Sequence, residues 1–210
     1  MKLICLDLEG VLIPEIWIAV AEKTGIEELR FTTRDRENYD ELMKYRLSIL
    51  SREGLVLKDI QAIINELELL DGAYDFVQQV RMETQLVLLS DTFDQFASPL
   101  MIKLNFPTLL CNTLLVEKDG WISSYKLRQS DGKRRAVEAF HGMGFEVFAA
   151  GDSYNDISML KAAHRGMLFR APDSVKRKHP DFDCVEDHSQ LLIAIRDFLK
   201  HANQPAAALH

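Results

Sequence analysis

Cysteine is scarce in this 210-residue chain: Cys5, Cys111 and Cys184 are odd in number and far apart, with no C-x-x-C pair among them. A disulfide scaffold, thiol exchange and a zinc–thiolate site are thereby excluded, and a reduced, cytoplasmic chain is expected. No uninterrupted apolar stretch approaches the roughly 18 residues of a membrane span, and Asp7 interrupts the N-terminus before a signal-peptide core could form. Positive charge is also short, with 25 Lys and Arg against 32 Asp and Glu and a formal net charge of -7. Such a surface repels a phosphate backbone, so nucleic acid is not an expected partner. No G-x-G-x-x-G follows a strand and no P-loop is present, which argues against a nucleotide cofactor. The six histidines lack ligand spacing and read as surface or packing residues, and the basic run from Lys176 to His179 reads as a solvated helix face. Repeats and low-complexity blocks are absent too.

What remains is an ordinary globular composition, 47% hydrophobic and 27% charged, large enough to bury a core without staples. Four short apolar runs, 3–6, 86–89, 147–150 and 167–169, are continuous rather than alternating, as strands buried on both faces of a parallel sheet are. Helical patterns over 72–82, 92–104, 132–143, 155–164 and 189–199 separate or follow them. The fold class is therefore α/β, a doubly wound Rossmann-like parallel sheet. Between the first two strands the chain spends far more than the dozen or so residues a crossover needs. Pro14 can begin a helix that Gly25 ends, and 39–52 and 58–67 follow as two more, so a small helical cap is expected over 14–70. The core is then 1–13 with 71–200. Two β-rich runs over 108–127 flank Lys118-Asp119-Gly120 and predict an antiparallel hairpin at the sheet edge, and 201–210 reads as a mobile tail.

Three of the buried strands end in polar clusters: Asp7-Leu8-Glu9-Gly10, Ser90-Asp91-Thr92 and Gly151-Asp152-Ser153-Tyr154-Asn155-Asp156. An open parallel sheet gathers such clusters along one edge, where ligands bind. Carboxylates brought together there require a cation, and an all-oxygen set favours a hard ion, Mg²⁺. Beside that ion Asp7 can attack phosphorus, giving an aspartyl-phosphate. In extended chain Glu9 projects to the same side as Asp7, placed to be the general acid/base. Ser90 can hydrogen-bond a phosphate oxygen, Lys133 can supply positive charge, and Asp152 and Asp156 complete the metal site, directly or through water. Singly, each has an ordinary reading: Asp91 or Thr92 as a helix cap, Lys133 as an exposed first-turn lysine. All four in order, at the right strand ends, are hard to obtain otherwise.

The ordered set Asp7-Leu-Glu-Gly-Val11, Ser90-Asp-Thr, Lys133 and Gly151-Asp-Ser-Tyr-Asn-Asp156 resembles the four motifs of the haloacid-dehalogenase-like phosphatase superfamily, over nearly the whole chain. A helical cap just after the first motif resembles the phosphoserine phosphatases, and the wording is similar to the bacterial bifunctional phosphoserine phosphatase/homoserine phosphotransferase group. The resemblance implies Asp7 as nucleophile and Mg²⁺ ligand, the Glu9 backbone carbonyl and Asp152 as further ligands, and Glu9 as acid/base. It implies that Ser90, Asp91, Thr92, Lys133 and Asn155 surround the phosphoryl group, with Asp156 supporting the metal or Lys133. In the cap, Glu15 would meet the ammonium and Arg46 clamp the carboxylate of an amino-acid phosphate; without the resemblance, Arg46 reads as a surface arginine on an amphipathic helix.

Two departures stand out. Most of the superfamily has Asp where Glu9 stands, and phosphoserine phosphatases generally read Ser-Gly-Gly where this chain has Ser90-Asp91-Thr92. Both recur in the bifunctional group, and Asp91 and Thr92 are expected to reshape the acceptor region so that an alcohol can compete with water. The expected reaction is Mg²⁺-dependent hydrolysis of O-phospho-L-serine, with transfer to homoserine. Another small phosphate ester is the alternative, and a phospho-accepting signalling module the reading from a different class, against which a cap over the site argues. The edge hairpin could pair in a homodimer or be covered.

Overall fold

The computed structural model describes residues 1–32 and 38–200. In chain order the elements are β1 (Lys2–Leu6), α1 (Ile16–Thr24), a 3-10 turn (Glu27–Arg30), α2 (Tyr39–Arg52), α3 (Leu57–Glu66), α4 (Ala73–Glu83), β2 (Gln85–Phe93), α5 (Asp94–Lys103), β3 (Thr108–Val116) and β4 (Ile122–Lys126). There follow α6 (Gly132–Gly142), β5 (Glu146–Gly151), a 3-10 turn (Tyr154–Asp156), α7 (Ile157–Ala162), β6 (Arg165–Phe169), α8 (Asp173–Lys178), β7 (Cys184–Val185) and α9 (His188–Lys200). The strands form one sheet in the order β4-β3-β2-β1-β5-β6-β7. Every pairing is parallel except β3 with β4.

The continuous apolar runs have a direct cause. In β1, Leu3 and Cys5 point into one core and Ile4 and Leu6 into the other, and β2 and β5 divide their side chains in the same way. Helices α6 and α7 cover one face, through Ala136, Val137, Met159 and Leu160. The other face is covered by α4, α5, α9 and the whole inserted segment, whose Ile16, Val20, Met43, Ile49, Ile60 and Ile64 join the same cluster as Leu6 and Leu88. Chain order reverses at β1, with β2 on one side and β5 on the other, so the crevice of a doubly wound sheet opens at the carboxyl ends of these three strands.

Several sequence expectations need correction. The strand expected over 86–89 continues through Ser90, Asp91 and Thr92 to Phe93, and the following helix starts at Asp94 rather than at 92. Neither Asp91 nor Thr92 is its cap; Phe93 holds that position, without a side-chain bond. Pro14 does not open α1, which begins at Ile16 with Glu15 as N-cap, although Gly25 does end it in the left-handed conformation, φ 71°. The stretch 155–164 is a 3-10 turn followed by a shorter helix. The hairpin forms with β4 at the edge, but β3 lies parallel to β2, so only β4 runs against the sheet. Strand β7 carried too few residues to be seen in the sequence, and the tail 201–210 lies outside the described residues.

Among the contacts that join the inserted segment to the core are two made through helices α5 and α9. Pro99 lies inside α5 and has no N–H to offer Gln95 four residues earlier; the Gln95 carbonyl instead accepts from Gln61 Nε2 of α3 at 2.8 Å. His188, buried at the start of α9, sets Nε2 2.8 Å from the Val11 carbonyl and Nδ1 2.9 Å from that of Asp71, the two points where the chain leaves and rejoins the core. It is the packing residue expected of a histidine here, with its ring against Phe76 and Phe169.

Candidate active site

A cavity of about 350 Å³ opens at the crevice, and Asp7, Glu9, Glu15, Arg46, Ser90, Asp91, Thr92, Lys133, Asp152 and Asn155 all line it. Asp156 lies just beneath, fully buried. The structure thus brings together every residue the sequence nominated.

β1 ends at Leu6, so Asp7 and Glu9 do not share extended chain as the sequence suggested. Asp7 caps the strand, its N–H donating to the Ala150 carbonyl at 2.9 Å. The chain then turns at Gly10, φ 74°, into a short loop closed by bonds from Leu12 and Ile13 to the Leu8 carbonyl. Gly10 is required twice over: its φ is left-handed, and a Cβ there would lie 2.5 Å from the Asp152 carboxylate carbon. The turn still delivers Glu9 to the cavity, where its Oε2 accepts from the Ile16 N–H at 2.9 Å, the first turn of α1. Glu15 and Thr92 line the same cavity as this carboxylate.

Lys133, from the first turn of α6, is only 3% exposed, so the reading as an ordinary surface lysine fails. Its ammonium stands 2.9 Å from Asp7, 2.7 Å from Asp156 and 3.8 Å from Asp91. Burial opposes its charge, yet the carboxylates of Asp156, Asp7 and Asp91 hold its pKa well above the ordinary lysine value. Asp156 is fully engaged: one oxygen accepts from Lys133, the other from the N–H groups of Asp152 and Ser153 at 3.0 and 3.1 Å. Gly151 allows this, because a Cβ there would overlap the Asp156 side chain.

Asp7, Asp152 and Asp156 can each offer a carboxylate oxygen, all within 4.8 Å of one another. Burial, followed by Asp156 and Asp152, raises Asp7 far above the carboxylate range despite Lys133. Burial and Asp156 push Asp152 up to about 7. Carboxyl groups so crowded, with only oxygen donors, fit a hard divalent cation, which would reverse these shifts.

Ser90 is buried, and its Oγ accepts from the Thr92 N–H at 3.2 Å, which leaves the hydroxyl proton to donate into the cavity. Thr92, grouped by the sequence with the phosphate-binding residues, lines the cavity beside Ser90. Asp91, grouped there too, also lines the cavity, 3.8 Å from the Lys133 ammonium. It accepts from the Asn155 amide at 3.0 Å and so fixes that residue at the rim.

Two cap residues face this cluster. Arg46 is 7% exposed, so the surface-arginine reading fails as well. Its guanidinium carbon lies 4.6 Å over the Trp17 ring, Nη2 donates to the Phe31 carbonyl at 2.8 Å, and Nη1 approaches the Met43 sulfur at 3.8 Å. Nε is buried without a hydrogen-bond partner among the described residues. Burial pulls Arg46 down to about 10, against the opposing pull of Glu9, Tyr39 and Glu15, so it stays charged near neutrality. Glu15 keeps surface open to the cavity mouth, but protein crowds it on the other sides. That burial, followed by the Glu9 charge, pushes it up to about 7.

Trp17 and Tyr39 were missed by the sequence. An aromatic in an apolar helix reads as core, and Trp17 does pack edge-on to Phe96 while its face carries Arg46. Tyr39 opens α2 and donates its hydroxyl to the Asp91 carbonyl at 3.2 Å, a contact visible only once the sheet and the insertion meet.

A family model described as haloacid dehalogenase-like hydrolase matches residues 12–161. The chain is 52% identical over 204 residues to a phosphoserine phosphatase of Pseudomonas syringae pv. tomato, covering 97% of this chain and 85% of that protein. It is equally 52% identical to the phosphoserine phosphatase ThrH of Pseudomonas aeruginosa, over 97% of this chain and 98% of that one. Among solved structures, a phospho-aspartyl intermediate analogue of phosphoserine phosphatase superposes with a TM-score of 0.75 at 22% identity, covering 95% of this chain and 97% of the other. An apo phosphoserine phosphatase gives 0.74 at 22%, covering 96% and 99%. At that identity the superpositions speak for the fold.

Proposed function

The chain belongs to the haloacid dehalogenase-like hydrolases, and from that premise we propose that it hydrolyses O-phospho-L-serine through an aspartyl-phosphate on Asp7, with homoserine as a second acceptor. One observation carries the reading: a core carboxylate–lysine pair, Asp7 and Lys133 at 2.9 Å, shares its cavity with a buried cap arginine that still has a free donor. An amino-acid phosphate is anionic at both ends and cationic between, and this cavity offers Lys133 and Ser90 to the phosphoryl group, Arg46 to the carboxylate and Glu15 to the ammonium.

Asp7, Asp152 and the Glu9 carbonyl would hold Mg²⁺, with Asp156 keeping Lys133 and the Asp152 loop in place. When bound, the ion neutralises charge on the carboxylates and the transferring phosphoryl group. The Asp7 oxygen attacks phosphorus and the ester P–O bond breaks, while protonated Glu9 gives its proton to the departing serine alkoxide. Burial raises Glu9 above the ordinary carboxylate range, which favours the acid form, against the Ile16 N–H contact that favours the charge. Glu9, now carboxylate, then takes a proton from water or from an acceptor alcohol, whose oxygen attacks the aspartyl-phosphate and restores Asp7. Lys133 and the Ser90 hydroxyl balance the charge of the phosphoryl group throughout. The three unbridged thiols accord with a cytoplasmic setting, and no helix among the described residues is long and apolar enough to cross a membrane.

The test is phosphate release from O-phospho-L-serine with and without Mg²⁺, for the native chain and Asp7→Asn, with homoserine added in parallel and phosphohomoserine assayed. Mg²⁺-dependent release lost in Asp7→Asn is the expected result, and phosphohomoserine would establish the transfer. Cleavage of other esters with phosphoserine untouched would remove the roles given to Glu15 and Arg46. Silence on every ester would favour a phospho-accepting signalling module.

A further inference from the structure

The crevice has a second opening. Beside the cavity lies a cleft of about 910 Å³, and Tyr39, Asp91, Lys133, Tyr154 and Asn155 line both spaces. Among the described residues that line the cleft, Tyr39 alone belongs to the insertion; the rest come from β2, β3, the 127–133 stretch, the 154–158 stretch and α8. Glu9, Glu15 and Arg46, which face the alcohol end of the substrate in the proposed reaction, line the cavity and not the cleft. Lys133, assigned to the phosphoryl group, lines both. The phosphoryl end is therefore held where the two spaces meet, and the alcohol end toward the cap.

Charge favours the cleft as the way out for an anion. On the cavity side a departing phosphate meets the Glu9 and Glu15 carboxyls, and Arg46, whose guanidinium would hold it rather than pass it on. In the cleft the carboxylates are already engaged. Asp91 accepts from Asn155 at 3.0 Å and lies 3.8 Å from Lys133, while Asp131 accepts from Ser158 at 2.8 Å and pairs with Arg134. Lys178, from the basic run that the sequence presents as a solvated helix face, lines the cleft with its ammonium 5.0 Å from the Tyr154 ring centroid. Positive charge thus runs from buried Lys133 to exposed Lys178. Both partners of the Asp91–Asn155 bond line both spaces, so parting them moves two side chains and leaves the insertion in place.

We propose that this cleft is the route by which inorganic phosphate leaves the site, and re-enters as an inhibitor, while the alcohol comes and goes by the cavity mouth beside the insertion. The assignment rests on the phosphatase reaction proposed above. The order of events gives two routes a use: the alcohol departs and water arrives while the phosphoryl group is still bonded to Asp7, and phosphate departs last.

Ser174 is exposed on α8 and lines the cleft but not the cavity, so Ser174→Trp narrows the cleft without touching the site. The full chain with Mg²⁺ is followed through single turnovers of O-phospho-L-serine. Acid quench separates covalent phosphoenzyme in the precipitate from total phosphate in the supernatant, and a fluorescent phosphate-binding reporter in excess reads free phosphate alone. In Ser174→Trp free phosphate should trail total phosphate, with a release rate constant about tenfold or more below that of the native chain. Formation of total phosphate and the phosphate inhibition constant should stay within about twofold, because a narrowed passage slows entry and exit alike. Ser174→Ala should match the native chain. Free and total phosphate rising together in Ser174→Trp, formation slowed as much as release, or an inhibition constant that weakens in step would each overturn the proposal. If Ser174→Trp does not fold by circular dichroism, Ser130→Trp, in the turn before α6, is held to the same criteria. The native chain is the control. If it releases no phosphate from phosphoserine, the proposed function fails; with native turnover in hand, a negative result falls on the cleft alone.

Discussion

Lys133 illustrates how a residue of little note in the sequence becomes the pivot of a site. In the sequence only its order among the other motifs singled it out, since helices commonly begin with an exposed lysine. Asp7, Ser90 and Asp152 were legible because each ends or prolongs a strand whose apolar run announces it. The bed of Arg46 was not, because Trp17 at helical spacing is indistinguishable from core until the ring is seen under the guanidinium. The electrostatics of this cluster make a prediction. Glu15 and Asp152 both stand at about 7 in the ion-free chain, above their ordinary values. Such groups are protonated more readily folded than unfolded, so they favour the folded state at low pH, and that advantage fades as pH rises from the ordinary carboxylate range through about 7. With chelator present, the melting temperature should therefore fall between about pH 5 and pH 8. Glu15→Gln and Asp152→Asn should each flatten the decline, and Mg²⁺ should restore stability at the upper end; thermal melts across the series check it.

At the scale of elements, the strands were legible because burial on both faces leaves no room for polar residues. Their ends were not: Ser90, Asp91 and Thr92 are polar yet stay in β2, where they line the cavity. The break at Pro99 had a different fate. A proline inside a helix frees a carbonyl, and here the freed Gln95 oxygen became the anchor for Gln61 of α3, joining insertion to core. Removing that donor leaves the carbonyl without its partner in a half-buried position. Gln61→Ala should lower stability by about 1 kcal/mol, within the usual range for one hydrogen bond, and Gln61→Glu, which cannot donate when ionised, should not rescue it. Urea denaturation at neutral pH measures both. The hairpin adds a second tie on the far side, where Tyr125 of β4 donates to Asp40 in α2 at 2.6 Å and the Gly120 carbonyl accepts from Leu57 at 2.9 Å.

Across the whole molecule the insertion is not a separate globule. Its Ile16, Met43 and Ile60 share one apolar cluster with Ile4 and Leu88 of the sheet and Phe198 of α9. Sequence boundaries for a cap therefore mark where the chain departs from the sheet, not where cooperativity ends. A single thermal transition is expected, with calorimetric and van't Hoff enthalpies equal; an early, smaller transition in calorimetry would show the insertion melting by itself.

His188 carries a consequence for ancestry and engineering. One imidazole reaches the carbonyls of both Val11 and Asp71, and the Leu70 N–H donates to the Leu12 carbonyl at 2.9 Å, so the two junctions of the insertion sit side by side like the ends of a closed loop. A segment with adjoining ends can be exchanged for another of different length at little entropic cost, leaving the catalytic sheet undisturbed. What a replacement must bring is an apolar underside to cover Leu6 and Leu88 and a polar face of its own toward the cavity. The sheet then behaves as a socket, and whatever is plugged into it supplies the other wall of the cavity.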